Sequence, residues 1–446
     1  MKKYGFLILG LMVLILASCS SRDCSKLLST VPKNTTLLAI LDVEKLADDL
    51  KGDSNENVDF DKLLELASGD KSEPNAMWSY ILGKDSEADF GTPFIVFELN
   101  NAQVVTMALK NADKFRSAIE EKTGDKFVNS DGVWALTDNT VFVSGEQAWI
   151  TSTYPEVHAS DIAPLTRLNE AQSALSLDYA GKMMSKGSDI AVLVDLKSAL
   201  QRQYGMSSGI WINTLFDSAR YVSATVDFET AKAKGNVIIL NEDFEPAKPA
   251  ITPSPINMGQ LSKFPGKGNL FYAMALDSET VGRILGQFKS VLPLPLELSE
   301  SLAEIDGNIV VSASTLPGNG DTPSVALSVN FKSAEAAENA KNFLLGLAGS
   351  SFGELTATVD GTTLCLMSPE QKGSSISDVS SQFKNASFGM VFLSPAIPGA
   401  DNSKAADLLK AINVKLLDST DKAEIEFTVD TKEGQNALVS LLQIKK

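Results

Sequence analysis

The 446-residue chain carries one histidine, His158, and three cysteines, Cys19, Cys24 and Cys365. A single imidazole excludes every histidine-rich metal site and leaves one candidate for any His-dependent dyad or triad. Cations are scarce beside carboxylates: 39 Lys+Arg against 56 Asp+Glu give a formal net charge of −17. Such a surface repels phosphate backbones, so nucleic acid is excluded as an expected partner. A membrane-crossing helix needs about 20 consecutive apolar residues. The run from Phe6 to Leu16 is too short, and the later stretches from Leu270 to Leu276 and Val291 to Leu298 are brief or broken by proline. At 44% hydrophobic and 21% charged the composition is that of folded protein, and the length predicts two domains, each with its own core.

What is present begins at the amino terminus. Lys2 and Lys3 precede the apolar run, which ends in Leu16-Ala17-Ser18-Cys19, the charged, apolar and small-residue order of an export signal. Leu-Ala-Ser-Cys resembles a bacterial lipobox. That resemblance implies removal of residues 1–18, attachment of diacylglycerol to the Cys19 sulfur, and Cys19 as the mature terminus. Two or three acyl chains hold far more firmly than one, at about 0.8 kcal/mol per buried CH₂. The expected location is the cell envelope, at the outer membrane with the folded domains facing the periplasm, because no acidic run follows Cys19; surface display is the alternative. Residues 19–34 read as a tether. In an oxidising compartment Cys24 and Cys365 could pair, against the plainer reading of Cys365 as a small apolar strand residue.

The prolines at 246, 249, 253 and 255 predict a stiff linker over 243–258. It separates a first domain, 35–242, from a second, 259–446. Four apolar runs end in a helix-capping side chain: Ala39-Ile40-Leu41-Asp42, Leu193-Val194-Asp195, Ala275-Leu276-Asp277 and Phe392-Leu393-Ser394. Leu46 with Leu50, Val281 with Leu285, and Leu408 with Ile412 then fall at helical spacing, which predicts strand followed by helix each time. Each half also carries a hairpin, a helix and a Gly turn in the same order. In the first half, Phe94 to Glu98 and Val104 to Leu109 flank Asn100-Asn101, Ala112, Phe115 and Ile119 line a helix stopped by Gly124, and Asp131-Gly132 follows. In the second half, Ile309 to Ser314 pairs with Val325 to Phe331, Ala337, Ala340, Leu344 and Leu347 line a helix, and Asp360-Gly361 turns the closing strands. The predicted class is α+β: two related domains of antiparallel sheets with helices packed on one face, arising by internal duplication.

Together with the export signal, Val31-Pro32-Lys33-Asn34-Thr35-Thr36 before an apolar strand, an Asp and a helix resembles an uncharacterised family of Bacteroidota lipoproteins with tandem α+β units. The resemblance implies location and fold, and brings no catalytic residues.

No catalytic residue, metal site or cofactor is assigned. His158 lies in a Pro-containing polar stretch, a surface loop, and no serine is matched to it. Ser-x-x-Lys spacings at Ser68/Lys71, Ser381/Lys384 and Ser419/Lys422, and Lys122-Thr123-Gly124, imitate penicillin-binding motifs, but Lys122 falls at a helix stop. Asp53, Asn55 and Asn57 have calcium-loop spacing, yet Val58 and Leu64 replace the Gly and Glu the loop needs. Gly266-Lys267-Gly268 and Gly318-Asn319-Gly320 lead into strands, so neither cradles phosphate. Trp78, Trp134, Trp149 and Trp211 all fall in the first domain, where exposed rings could stack on sugars. The expectation is a lipid-anchored protein with a binding or scaffolding role, its partner an envelope protein or glycan and its oligomeric state open. The alternatives are a glycan-binding lipoprotein and a hydrolase using paired carboxylates.

Overall fold

The computed structural model describes residues 23–51, 76–83, 85–151, 155–177, 179–180, 183, 187–204, 218–249, 254–288, 296–314, 324–348, 355–394, 407–419, 422–431 and 433–443. The chain forms two compact units of α+β structure, one of Met1–Ile212, Ser218–Glu245 and Thr431–Lys446, the other of Asn213–Asp217 and Pro246–Asp430.

The first unit opens with α1, Ser25–Leu28, and β1, Leu37–Leu41, then α2, Val43–Lys51, and α3, Ala76–Ile81. Asp42 caps α2 by accepting from the Lys45 N–H at 3.3 Å. Strands β2, Phe94–Leu99, and β3, Ala102–Ala108, form the expected hairpin. Both turn residues, Asn100 and Asn101, have positive φ (51° and 67°), the geometry that matches strand twist and that Asn tolerates. Helix α4, Ala112–Thr123, starts with Lys114 N–H donating to Asn111 and ends at Gly124 with φ 79°. Four short strands follow: β4, Phe127–Ser130; β5, Val133–Leu136; β6, Val141–Ser144; and β7, Gln147–Thr151. After α5, Ala159–Ile162, come β8, Ile190–Asp195, α6, Leu196–Tyr204, β9, Tyr221–Glu229, and β10, Lys232–Leu240. Asp195 caps α6 through the Ser198 N–H at 2.9 Å. The strand order is β10-β9-β8-β1-β2-β3-β7-β6-β5-β4, antiparallel throughout.

The second unit has α7, Met258–Leu261; β11, Lys267–Gly268; β12, Leu270–Leu276; α8, Ser278–Phe288; α9, Leu296–Ala303; β13, Ile305–Ala313; β14, Val325–Phe331; and α10, Ala334–Ala348. It closes with β15, Thr356–Asp360; β16, Thr363–Met367; β17, Ser374–Ser375; α11, Ile376–Val379; β18, Ala386–Leu393; β19, Leu409–Leu417; and β20, Glu424–Thr431. Asp277 caps α8 by accepting from Thr280 N–H at 2.7 Å. The order is β20-β19-β18-β12-β13-β14-β16-β15. Apart, β11 pairs with β17 where backbones nearly touch: a Cβ on Gly268 would lie 2.5 Å from the Ala313 carbonyl oxygen.

Period-two burial puts cores on both faces of each sheet. In β12, Phe271, Ala273 and Ala275 join Leu261, Phe264, Ile376, Val379 and Phe383 on one face. Leu276, with Met274 beside it, faces the other way into the cluster of Val281, Ala337, Ala340 and Leu364. The expectation of helices on one face is corrected accordingly. The long helices lie on one face, and short helical turns cover the other, because strands apolar on both sides need cover on both.

Four further expectations change. The 19–34 tether is packed from its sixth residue: Cys24, Leu27, Leu28 and Val31 are buried in the first core. Residues 431–446, expected in the second domain, belong to the first unit. There Thr431 N–H donates to Ala231, Ala231 N–H to Gln435, and Leu438 of α12, Ala437–Gln443, is buried. Leu408 and Ile412 do not share a helix, since Ile412 lies in β19 opposite Phe392, where β-branched side chains suit the pleat. The Pro-rich linker is anchored at both ends, with Phe244 stacked on Tyr221 (centroids 4.5 Å apart) and Ile256 buried, its N–H on the Ala386 carbonyl. Leu50, Leu344 and Leu347 lie in helices, but their side chains lie outside the described residues, as does the segment after Ser394.

Candidate functional site

A cluster of ionisable residues lies in the first unit, where α2, the start of β8, β9 and the start of α12 converge. Asp189, just before β8, is fully buried. One carboxylate oxygen pairs with Lys45 Nζ and the other accepts the Phe228 N–H, while its own N–H donates to Asp227 Oδ1 at 3.2 Å. One turn beyond Lys45 on α2 is Asp49, whose Oδ1 accepts from Asn436 Nδ2 at 3.3 Å and whose buried Oδ2 has no hydrogen-bond partner.

Burial and the charge of Asp189 push the Asp49 carboxyl up to about 7, against the opposing pull of Lys45 and Asn436. Burial also raises Asp189, although Lys45 and the Phe228 amide favour its charged form. For Lys45 burial disfavours the charge, but Asp189, Asp227 and Asp49 outweigh it and its pKa rises. Lys45 therefore faces two carboxyls raised by burial, Asp189 and Asp49. Both Asp189 oxygens are engaged, which leaves Asp49 Oδ2 as the unpartnered carboxylate oxygen of the cluster.

In the second unit a cavity of about 700 Å³ is lined by Glu300, Glu304, Glu335, Ser301, Ser333 and Asn339. Among the described residues, no lysine, arginine or histidine lines it. Among the described residues no group of three or more His, Cys, Asp or Glu is placed to hold a metal ion.

Cys19 lies outside the described residues. Cys24 and Cys365, the possible disulfide pair, are not joined in a disulfide. Cys24 is sealed in the first unit's core, where burial pushes its thiol up to about 12, and Cys365 on β16 contacts Ser328 Oγ at 3.6 Å. His158 is exposed, 3.6 Å from Glu156. Lys122 lies in the last turn of α4, Gly266 precedes the short β11 and Gly268 ends it, and Ser381 and Lys384 fall on a single helical turn and just after it. Ser68, Lys71, the 53–64 loop, Gly318-Asn319-Gly320 and Trp211 lie outside the described residues, and so does the gap between Ser419 and Lys422.

Trp78 and Trp149 are buried, and Trp134 is covered by the Arg116 guanidinium 4.0 Å from its ring. Neither Trp78 nor Trp149 offers an open face for a sugar, and Arg116 occupies one face of the half-buried Trp134. Gly349-Ser350-Ser351-Phe352-Gly353, which has Gly-x-Ser-x-Gly spacing, also lies outside the described residues. The Asp49 cluster was missed; its one sequence signal is Lys45 and Asp49 at i, i+4 behind the Asp42 cap.

No helix among the described residues is long and apolar enough to cross a membrane. No family model matches the chain, and no curated protein matches it. Solved structures of TP0453 are loosely similar. Crystal form I has 9% identity and TM-score 0.30 over 49% of this chain and 79% of that one. Form IV has 9% and 0.32 over 49% and 83%, and form III has 8% and 0.26 over 79% and 96%.

Proposed function

We propose that the chain is a lipid-anchored cell-envelope protein, held at the outer membrane through Cys19 with its folded units facing the periplasm, and that its role is binding or scaffolding. The observation that carries this reading is the closeness of the lipobox to the folded body. Cys19 is followed by only four residues before Cys24, which is already buried in the first core. Five residue steps span at most about 18 Å of extended chain, so the lipid and the first unit stay together.

Two sheet edges supply surfaces for a protein partner. β4 pairs only with β5, and β15 only with β16, among the described residues. An outer strand edge carries backbone donors and acceptors that a partner strand can use. Val128 on β4 is, among the described residues, the one large apolar side chain well exposed, which suits an edge contact better than a broad apolar dock.

The two units read as duplicates. Strands β10-β9-β8-β1-β2-β3-β7 of the first follow the same path as β20-β19-β18-β12-β13-β14-β16 of the second, with Asp-capped helices after β1 and β12. A uniform descent of both units from one ancestral half, as in the Bacteroidota lipoproteins the opening resembles, accounts for that shared order.

The test is envelope fractionation with labelled fatty acid, comparing the native chain with Cys19→Ala, followed by cross-linking of the anchored form. Labelled, membrane-retained native protein captured with a defined partner supports the reading. Equal retention and labelling of Cys19→Ala overturns the anchor, and recovery of the native protein without any partner overturns the scaffold role.

A further inference from the structure

The segment after the lipobox is bound along the full length of the first unit's sheet. Ser25 N–H donates to Asp23 Oδ1 at 2.9 Å, and the Cys24 carbonyl accepts from Leu28 N–H at 2.9 Å, closing α1. Lys26 Nζ lies 3.2 Å from Glu146. Gln147 Nε2, buried, donates to Thr30 Oγ1 and Thr106 Oγ1, each at 2.7 Å. The Val31 carbonyl accepts from Ala174 N–H at 2.7 Å, and Lys33 N–H donates to the Gln172 carbonyl at 2.9 Å. Thr35 Oγ1 finally accepts from Glu98 N–H at 3.0 Å.

These contacts give the segment a direction. It begins beside Glu146, whose carbonyl accepts from Leu109 N–H just past the end of β3. It finishes beside Glu98, next to the Asn100-Asn101 turn where β3 begins. Asn100 there donates to Asp161 at 3.0 Å. The two ends of the sheet are separated by the seven residues of β3, about 24 Å.

We infer that the first unit is mounted on the membrane in a fixed orientation, with the Glu146, Leu109 and Lys110 end of its sheet against the lipid surface and the Asn100 and Asp161 end pointing away. The inference rests on the proposed lipidation of Cys19. A tether of about 18 Å is shorter than the sheet, so the far end cannot swing to the lipid while the segment stays bound. The partner this end fits is the lipid headgroup surface itself. The distal end, the Asn100-Asn101 turn and α5, is then the part of this unit presented to the periplasm.

The experiment uses the full lipidated chain in a Cys365→Ser background, where Cys24 is too buried to label. Lys110→Cys and Ser160→Cys, both exposed positions at opposite ends of the sheet, carry a donor fluorophore in phosphatidylethanolamine vesicles bearing a headgroup acceptor. The expected result is greater energy transfer from position 110 than from 160. Inserting about 20 Gly-Ser residues between Arg22 and Asp23, a coil of roughly 25 Å, lowers transfer at 110 and removes the difference. Equal or reversed transfer in vesicle-bound protein overturns the orientation and leaves the anchor standing. Failure of the native chain to float with vesicles, or to carry lipid, overturns the anchor and the orientation with it.

Discussion

Replacing Asp49 by Asn removes the ionisable member of the Lys45–Asp189 cluster while keeping an oxygen for Asn436. The Asp49 carboxyl sits at about 7 in the folded chain against 3.8 as its ordinary value. At 1.36 kcal/mol per unit, a shift of this size would cost about 4 kcal/mol in full. Asp49 is only about half buried, and solvent screening reduces the figure to about 1–2 kcal/mol. The sign follows from linkage. A raised carboxyl binds more protons folded than unfolded between its two pKa values, so the native chain loses stability as pH rises from about 4 through 7. Asp49→Asn, neutral in both states, escapes that loss. Urea unfolding followed by tryptophan emission, with Trp149 buried in the same unit, should show the two proteins equal at pH 4. The variant should lead by about 1–2 kcal/mol at pH 8, with no further gain above that. A lead that is constant with pH, or that shrinks as pH rises, refutes the reasoning.

Lys45→Met leaves Asp189 buried without its cation and should cost about 3 kcal/mol at pH 8 by the same unfolding assay. A cost below 1 kcal/mol would show that the pair is dispensable. Gln147→Ala leaves Thr30 and Thr106 without their shared donor, a loss of about 1–3 kcal/mol; hydrogen exchange should rise over residues 24–33, and unchanged exchange there counts against the stapled segment. Gly268→Ala drives a Cβ into the Ala313 carbonyl and should destabilise the second unit by about 1–3 kcal/mol. Gly282→Ala, in α8 with open space around the added methyl, should stabilise it by up to about 1 kcal/mol. In a form beginning at Ser20, Cys365 should react with a thiol reagent in the native state and Cys24 only after unfolding. Two reactive native thiols, or none released by unfolding without reductant, would contradict the burial of Cys24 and the absence of a disulfide.

Local signals carried much of the architecture. Asn100-Asn101, Asn111, Gly124 and Asp131-Gly132 each mark a turn or cap through a backbone preference that acts within four residues. The hairpin of β2 and β3 and helix α4 stand where those residues put them. Asp42, Asp195 and Asp277 likewise cap the helices that follow their strands. What depends on distant contacts was not legible. Residues 24–34 look like a polar tether until Thr30 and Val31 find Gln147 and Ala174 more than 100 positions away. Residues 433–443 follow β20 in the chain but are held by Ala231 and Thr230, which meet Gln435 and Asn436. Leu408 and Ile412 fit a helix by spacing, yet β18 offered Ile412 a strand partner. The Asp49 cluster gathers side chains from positions 45, 49, 189, 227 and 436, and no periodicity within one element announces such a meeting.

The central claim, an anchor at Cys19 holding a body that begins at Cys24, is tested most directly by intact mass spectrometry of the protein extracted from envelopes. The account predicts a chain without residues 1–18, whose amino-terminal Cys19 bears a thioether-linked diacylglycerol. A chain retaining Met1–Ser18, or one cleaved elsewhere with Cys19 unmodified, would contradict it.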